Sequence, residues 1–228
     1  MQKTASTIIQ SINSLTAARL AIAAAATVLL LLAGLHVLSP EFDPSWRMVS
    51  EYANGQYGWV LSTMFVSWAI SSWALAFAIW PQVKTTLGKT GLAFLIAAGV
   101  GEAMASVFDI THPLHGLAAL IGIPSLAIAA MLISVSLGRS EGWSTAKKPL
   151  LWTANLTWMS LALMAATLAI FFVTYKQAGG DMTGGVITTL PPGVLALGGW
   201  ANRLLVLAYN VWVMTVAWQA IKLRVVEF

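Results

Sequence analysis

Six long apolar runs divide this chain, and each is long enough to cross a lipid bilayer. They cover residues 17–38, 58–80, 90–110, 114–137, 150–174 and 199–222. A helix needs about 20 apolar residues to span the hydrocarbon core. Only 9% of the residues are charged, whereas a soluble domain carries about 25%. The pattern therefore predicts an all-α fold, an integral membrane bundle of six transmembrane helices.

The chain ends are expected to lie outside this bundle. Residues 1–16 are polar apart from apolar residues at helical spacing, which predicts an amphipathic N-terminal lead on the membrane surface. The first apolar run is too long for a signal peptide, which indicates that it is retained as a span. The six-helix transmembrane domain then occupies residues 17–222, and residues 223–228 form a cytoplasmic tail.

The basic residues predict the orientation of the bundle. With the N-terminus inside, nine lysines and arginines fall on the inner side, and three, Arg47, Lys176 and Arg203, fall on the outer side. Cytoplasmic segments carry an excess of such residues, so both termini should be cytoplasmic. We expect a multi-pass protein of the cell inner (cytoplasmic) membrane.

Composition excludes two classes of function. The net charge of +4 does not indicate a nucleic-acid partner, because the basic residues are scattered among short loops. Cysteine is absent, so the chain has no disulfide, no thiolate metal ligand and no cysteine nucleophile.

The loop between the first two spans predicts a short helix. Asp43 suits the N-cap position, Pro44 the first helical position and Asn54-Gly55 the C-terminal stop. A helix of about ten residues is too short to cross the bilayer, so we expect an interfacial helix over the outer end of the bundle. Its polar face carries Arg47, Ser50 and Glu51.

The segment between the third and fourth spans concentrates metal-binding residue types. Asp109, His112 and His115 lie within seven residues, and imidazole and carboxylate groups are common ligands of Zn²⁺. The segment predicts a zinc site made by these three residues, with Glu102 or Glu51 as the base that activates a bound water. The alternative is that the histidines only cap a helix and bond nearby carbonyls.

A polar stripe leads from this segment into the membrane. Glu102 lies about two turns inside the third span, where an ionisable group is costly and usually faces a partner or a watery cavity. Arg203, near the start of the sixth span, is its candidate partner. The stripe predicts an outward-facing polar pocket, and its ligand-binding residues are predicted to be Arg203, Arg47, Ser50 and Asn210, with His36 close to them. The alternative is a Glu102–Arg203 ion pair that only fixes helix packing.

Three short motifs resemble a known family. In chain order they are Ser50-Glu51-Tyr52-Ala53 with Gly58-Trp59, the segment from Asp109 to His115-Gly116, and Gly199-Trp200-Ala201-Asn202-Arg203. Together they resemble a large prokaryotic family of six-helix membrane proteins catalogued as domain of unknown function 998. The resemblance extends over residues 17–222 and implies the six-helix fold, but it implies no particular reaction.

The sequence leaves three functions open. The favoured one is a pocket that binds a lipid headgroup or a small polar ligand, with a metal-dependent membrane hydrolase as its enzymatic form. The others are a non-catalytic accessory subunit of a larger membrane complex and a small transporter. The expected partners are membrane lipid and either another membrane protein or further copies of this chain. Haem held by His36 and His115 is a subsidiary idea.

Overall fold

Six long helices make up the protein. The structure, a computed structural model, describes residues 2–181 and 187–225, with side chains for residues 12–181 and 187–223. The helices are α1 (Gln2–Leu38), α2 (Gly58–Ile79), α3 (Thr86–Val107), α4 (His115–Leu137), α5 (Lys147–Gln177) and α6 (Gly198–Val225). All six are long and apolar enough to cross a membrane, and the described residues contain no β-strand. The predicted all-α bundle of an integral membrane protein is confirmed.

The helix ends differ from the predicted spans in a simple way. Helix α1 begins at Gln2, so the predicted N-terminal lead continues into the first span as one helix, and its part Ile12–Leu38 is long and apolar enough to cross a membrane. The predicted amphipathic pattern falls partly on side chains of residues 1–11, which lie outside the described residues. Helix α6 extends to Val225, and the rest of the predicted tail, residues 226–228, also lies outside them.

The first outer loop forms a shorter helix than predicted. A 3₁₀ helix covers Val49–Asn54, rather than an α-helix that starts at Pro44. The Asp43 carboxylate accepts hydrogen bonds from the N–H (2.9 Å) and the hydroxyl (2.7 Å) of Ser45. These bonds cap a turn, and they hold the pKa of Asp43 below its usual value. Asp43, which was predicted to cap the helix, therefore stabilises a turn that precedes the 3₁₀ helix.

The helices form a closed ring. Each helix packs against the next one in the chain, and α1 packs against α6 to complete the circle. Helices α2 and α6 also contact each other across the ring. Small residues allow α3 and α4 to approach closely, because Gly101 lies directly against the backbone of Gly122 and Ala118.

One end of the bundle carries the three histidines and most of the acidic side chains of the described residues. It is formed by the ends of α1, α3 and α5 and the starts of α2, α4 and α6, together with the loops that join them. The distribution of basic residues predicts that this end faces away from the cytoplasm, and it is called the outer end below.

Candidate functional site

A cavity of about 310 Å³ lies inside the bundle near the outer end. Helices α2 to α6 and residues 48–50 of the first outer loop form its walls. The walls are mostly apolar and include Phe65, Met164, Leu168, Leu205 and Val206. Ligand pockets in proteins usually measure roughly 300–1,000 Å³, so this central cavity has room for a small molecule.

Glu102 supplies the carboxylate of the central cavity. It lies on α3, five residues before the end of that helix at Val107, and its side chain is only 6% exposed. The Ser72 hydroxyl on α2 donates a hydrogen bond to Oε2 (2.8 Å). Among the described residues, none donates a hydrogen bond to Oε1, and Glu102 lines the cavity. No lysine or arginine is among the described residues that form the walls.

Arg203 does not pair with Glu102, so the predicted ion pair is wrong. Its Nε donates to His36 Nε2 (2.7 Å), and its Nη2 donates to the Tyr52 hydroxyl (2.9 Å). Its Nη1 donates to the carbonyl of Arg47 (2.7 Å) and to the carbonyl one helical turn earlier in α6 (3.0 Å). Arg203 is buried and lies outside the central cavity, where it ties α1, the first outer loop and α6 together.

This network holds His36 in one tautomer. A guanidinium group can only donate, so His36 Nε2 must accept from Arg203. Nδ1 lies 2.6 Å from the carbonyl of Leu32, which can only accept, so Nδ1 carries the proton. Both ring nitrogens are therefore engaged, which leaves neither for the haem suggested for this residue.

Arg47 and Glu51 pair with each other rather than with a ligand in the central cavity. Arg47 Nε lies 2.6 Å from Glu51 Oε2. Glu51 Oε1 accepts from the backbone N–H of Met48 (2.7 Å), and Arg47 Nη1 donates to the carbonyl of Ile187 (2.8 Å). The pair thus fastens the second outer loop to the first, and neither side chain is among the walls of the cavity.

Asn210 is also placed away from the cavity. Its side chain is fully buried, and its amide nitrogen donates to the carbonyl of Val206 within α6 (2.9 Å). Asn202, two helical turns nearer the outer end, lines the cavity instead, and its Oδ1 accepts from the N–H of Val49 (2.8 Å). Arg203 and Asn210, seven residues apart, share one face of α6, but another face of that helix lines the cavity, through Asn202, Leu205, Val206 and Tyr209.

The predicted zinc ligands do not come together. Among the residues that the structure describes, no group of three histidine or carboxylate side chains is placed to hold a metal ion. Asp109 Oδ1 accepts from the hydroxyl (2.5 Å) and the N–H (2.9 Å) of Thr111, and these bonds hold the pKa of Asp109 below its usual value. His112 is exposed, and its Nδ1 accepts from the N–H of Leu114 (3.1 Å). The turn between α3 and α4 therefore uses these groups locally.

His115 is the histidine that reaches the central cavity. Its Nδ1 lies 2.9 Å from the carbonyl of Phe108, so Nδ1 carries a proton and no described residue bonds to Nε2. His115 also lines an adjoining, more polar cavity of about 120 Å³. Ser50, which was predicted to bind a ligand, lies at the walls of both cavities.

The aromatic residues that line the cavity were not predicted from the sequence. The rings of Phe65 and Trp68 on α2 are parallel, with centroids 6.2 Å apart. Tyr209 on α6 meets Trp68 edge-on at 6.2 Å, and its hydroxyl donates to the carbonyl of Ile123 (2.7 Å). Tryptophan and tyrosine normally concentrate at the membrane interfaces. The position of Trp68 and Tyr209 well inside their helices, away from either interface, could have indicated that they line a cavity.

The central cavity adjoins a wider one at the outer surface. This outer cavity of about 550 Å³ shares the walls Met48, Ile110 and Leu168 with the central cavity. Its other walls include Phe172 of α5 and Ile187 of the second outer loop. The shared walls belong to the first outer loop, the turn that precedes α4, and α5.

Comparison with known proteins identifies the family of the chain. Residues 21–219 match the family described as "Protein of unknown function (DUF998)". Neither the curated proteins nor the solved structures gave a match. The matched region covers most of the chain and confirms the resemblance seen in the three sequence motifs. This protein is therefore a member of the DUF998 family.

Proposed function

We propose that this protein binds a small amphiphilic molecule in the central cavity. The observation that carries the proposal is a cavity of about 310 Å³ with apolar walls and a carboxylate oxygen that has no partner among the described residues. Apolar walls favour hydrocarbon, because each Å² removed from water contributes about 25 cal/mol. A few polar groups then fix the orientation of the ligand.

The ligand is expected to enter from the outer end. The outer cavity shares three wall residues with the central one and is itself mostly lined by apolar groups. Arg47 and Arg203 are engaged elsewhere, so a phosphate-bearing headgroup has no free cation to meet in the central cavity. The ligand is thus an apolar body with one small polar group, rather than a highly polar molecule.

Photolabelling with a diazirine derivative of octanol tests this proposal. We expect saturable labelling of cavity residues in the purified protein, mapped by peptide mass spectrometry and suppressed by excess octanol. Ala119→Phe should abolish this saturable labelling, because Ala119 lines the central cavity and the larger ring would fill it. Ala165→Phe is the matched control, since Ala165 is exposed on α5 and lines none of the cavities described above. Labelling confined to lipid-facing residues, or unchanged in Ala119→Phe, would refute the proposal.

A hydrolytic role is the second candidate. Ser50 and His115 line the same polar cavity, and His115 keeps Nε2 unbonded while Nδ1 is held by a carbonyl. A serine hydroxyl and an unbonded imidazole nitrogen are two of the parts of an activated nucleophile. A fluorophosphonate probe should then label Ser50, and Ser50→Ala should prevent it, whereas Ser62→Ala should not. Absence of labelling in the folded wild type would leave binding as the function.

A further inference from the structure

The surroundings of Glu102 constrain the charge of the ligand. A carboxylate removed from water is costly unless a cation or a proton compensates it. Ser72 donates one hydrogen bond, but no lysine or arginine is among the described walls. The Glu102 carboxylate therefore lies at the wall of a space to which no described lysine or arginine contributes a positive charge.

The aromatic rings of the cavity favour the same kind of ligand. Phe65, Trp68 and Tyr209 line the cavity together with Glu102. The negative faces of aromatic rings attract organic cations, with energies of about 0.5–2 kcal/mol per contact. A carboxylate with aromatic neighbours suits an ammonium group, because methyl groups on the nitrogen pack against the rings while its charge remains near the oxygen.

The same site disfavours an anion. An anionic headgroup in the central cavity would lie near the Glu102 carboxylate, and no lysine or arginine is among the described walls to compensate the repulsion. Arg203 and Arg47 carry positive charge at the outer end, but Arg203 donates to His36, Tyr52 and backbone carbonyls. Arg47 forms an ion pair with Glu51 and donates to the carbonyl of Ile187. Charge complementarity therefore separates cationic from anionic amphiphiles of equal length.

We propose that the central cavity selects a lipophilic organic cation, an alkyl amine or quaternary ammonium whose nitrogen lies beside Glu102. The apolar arm of this ligand occupies the space between Met164, Leu168 and Val206. This inference rests on the proposed function, because it requires the cavity to be occupied by a ligand, and it adds the chemical class of that ligand.

Competition in the photolabelling assay tests the inference. The competitors are octyltrimethylammonium, octanol and octyl sulfate, which share one chain and differ in charge. We expect octyltrimethylammonium to compete at a concentration about tenfold or more below that of octanol, and octyl sulfate to compete more weakly than octanol. All measurements use the full chain in an uncharged maltoside detergent.

Two variants assign this preference to named residues. Glu102→Gln should reduce the advantage of octyltrimethylammonium over octanol to less than about threefold while octanol still competes. Glu41→Gln is the matched control, because Glu41 is an exposed acid at the same end of the bundle. Phe65→Leu provides a second test should Glu102→Gln fail to fold, since it removes one ring and keeps the carboxylate.

The outcomes separate the two proposals. Equal competition by the three compounds in the wild type would overturn the cation selectivity and leave the binding cavity intact, as expected for a permanently protonated Glu102. Stronger competition by octyl sulfate would overturn it as well. Absence of any saturable labelling would instead refute the binding cavity itself. A preference that persists in both Glu102→Gln and Phe65→Leu would show that another part of the protein selects the cation.

Discussion

Replacing Arg203 by lysine should destabilise the protein although the positive charge is kept. The guanidinium group makes four hydrogen bonds from three nitrogen atoms, to His36, Tyr52 and two backbone carbonyls. An ammonium group has one nitrogen and cannot reach acceptors on opposite sides of the site. At least two acceptors lose their donor, and each such loss costs about 1.5–3 kcal/mol. We therefore expect Arg203→Lys to lower the free energy of unfolding by about 3 kcal/mol or more.

Denaturant unfolding followed by circular dichroism in mild detergent measures this loss. Arg139→Lys is the matched control, because Arg139 is exposed at the other end of the bundle. Its free energy of unfolding should stay within about 0.5 kcal/mol of the wild-type value. A similarly small change in Arg203→Lys would refute the structural role of Arg203. Loss of ligand binding at unchanged stability would instead return Arg203 to the predicted ligand-binding set.

Two further predictions concern the contact of α3 with α4 and the turn between them. Gly101→Ala should lower the free energy of unfolding by about 1–3 kcal/mol, because the added Cβ would collide with the backbone of Gly122. Gly116→Ala should leave the free energy of unfolding unchanged or raise it, because Gly116 has open space around it. Asp109 should titrate below its usual pKa in a carbon-13 NMR titration, and Thr111→Val should raise that pKa by removing the hydroxyl donor. Because the folded pKa is lowered, the contribution of Asp109 to stability is present at neutral pH and is lost as the pH falls through that pKa. A normal Asp109 pKa in the wild type would contradict the hydrogen bonds of this turn.

The membrane spans could be predicted from the sequence because they depend on local composition. The predicted runs at 58–80 and 114–137 correspond closely to Gly58–Ile79 and His115–Leu137. Each run must satisfy its backbone hydrogen bonds within itself and place apolar side chains against lipid. Neither requirement depends on the other helices. The depth of Glu102 within α3 follows from the same local pattern.

The partners of the polar residues could not be predicted in this way. Spacing along α6 shows that Arg203 and Asn210 share a face, but it does not show which helix that face meets. Arg203 binds His36, which is 167 positions earlier in the chain, and this contact exists only because α1 closes the ring against α6. Glu102 faces Ser72 because α2 is its neighbour.

The zinc prediction is not supported for a different reason. Nearness in sequence brought Asp109, His112 and His115 into one segment, but a turn has its own demands for hydrogen bonds. Thr111, Leu114 and Phe108 each bond to one atom of these three side chains, and the bonds fix the orientation of the side chains within the turn. A short polar side chain such as Asp109 readily bonds to the nearby backbone of a turn. Of the alternative, histidines that cap a helix and bond nearby carbonyls, His115 makes such a bond, whereas His112 accepts from a backbone N–H.

The most direct test of the binding cavity is the reactivity of a thiol placed inside it. The chain has no cysteine, so Ala119→Cys introduces one reporter, and Ala165→Cys gives a lipid-facing control on α5. Membrane-impermeant thiol reagents, one cationic and one anionic, are added to the outer side of intact cells. The account predicts that the thiol at position 119 reacts from outside, faster with the cationic reagent, and loses this preference in Glu102→Gln. A thiol at position 119 that reacts only from the cytoplasmic side, or not at all, would contradict an outward-opening cavity.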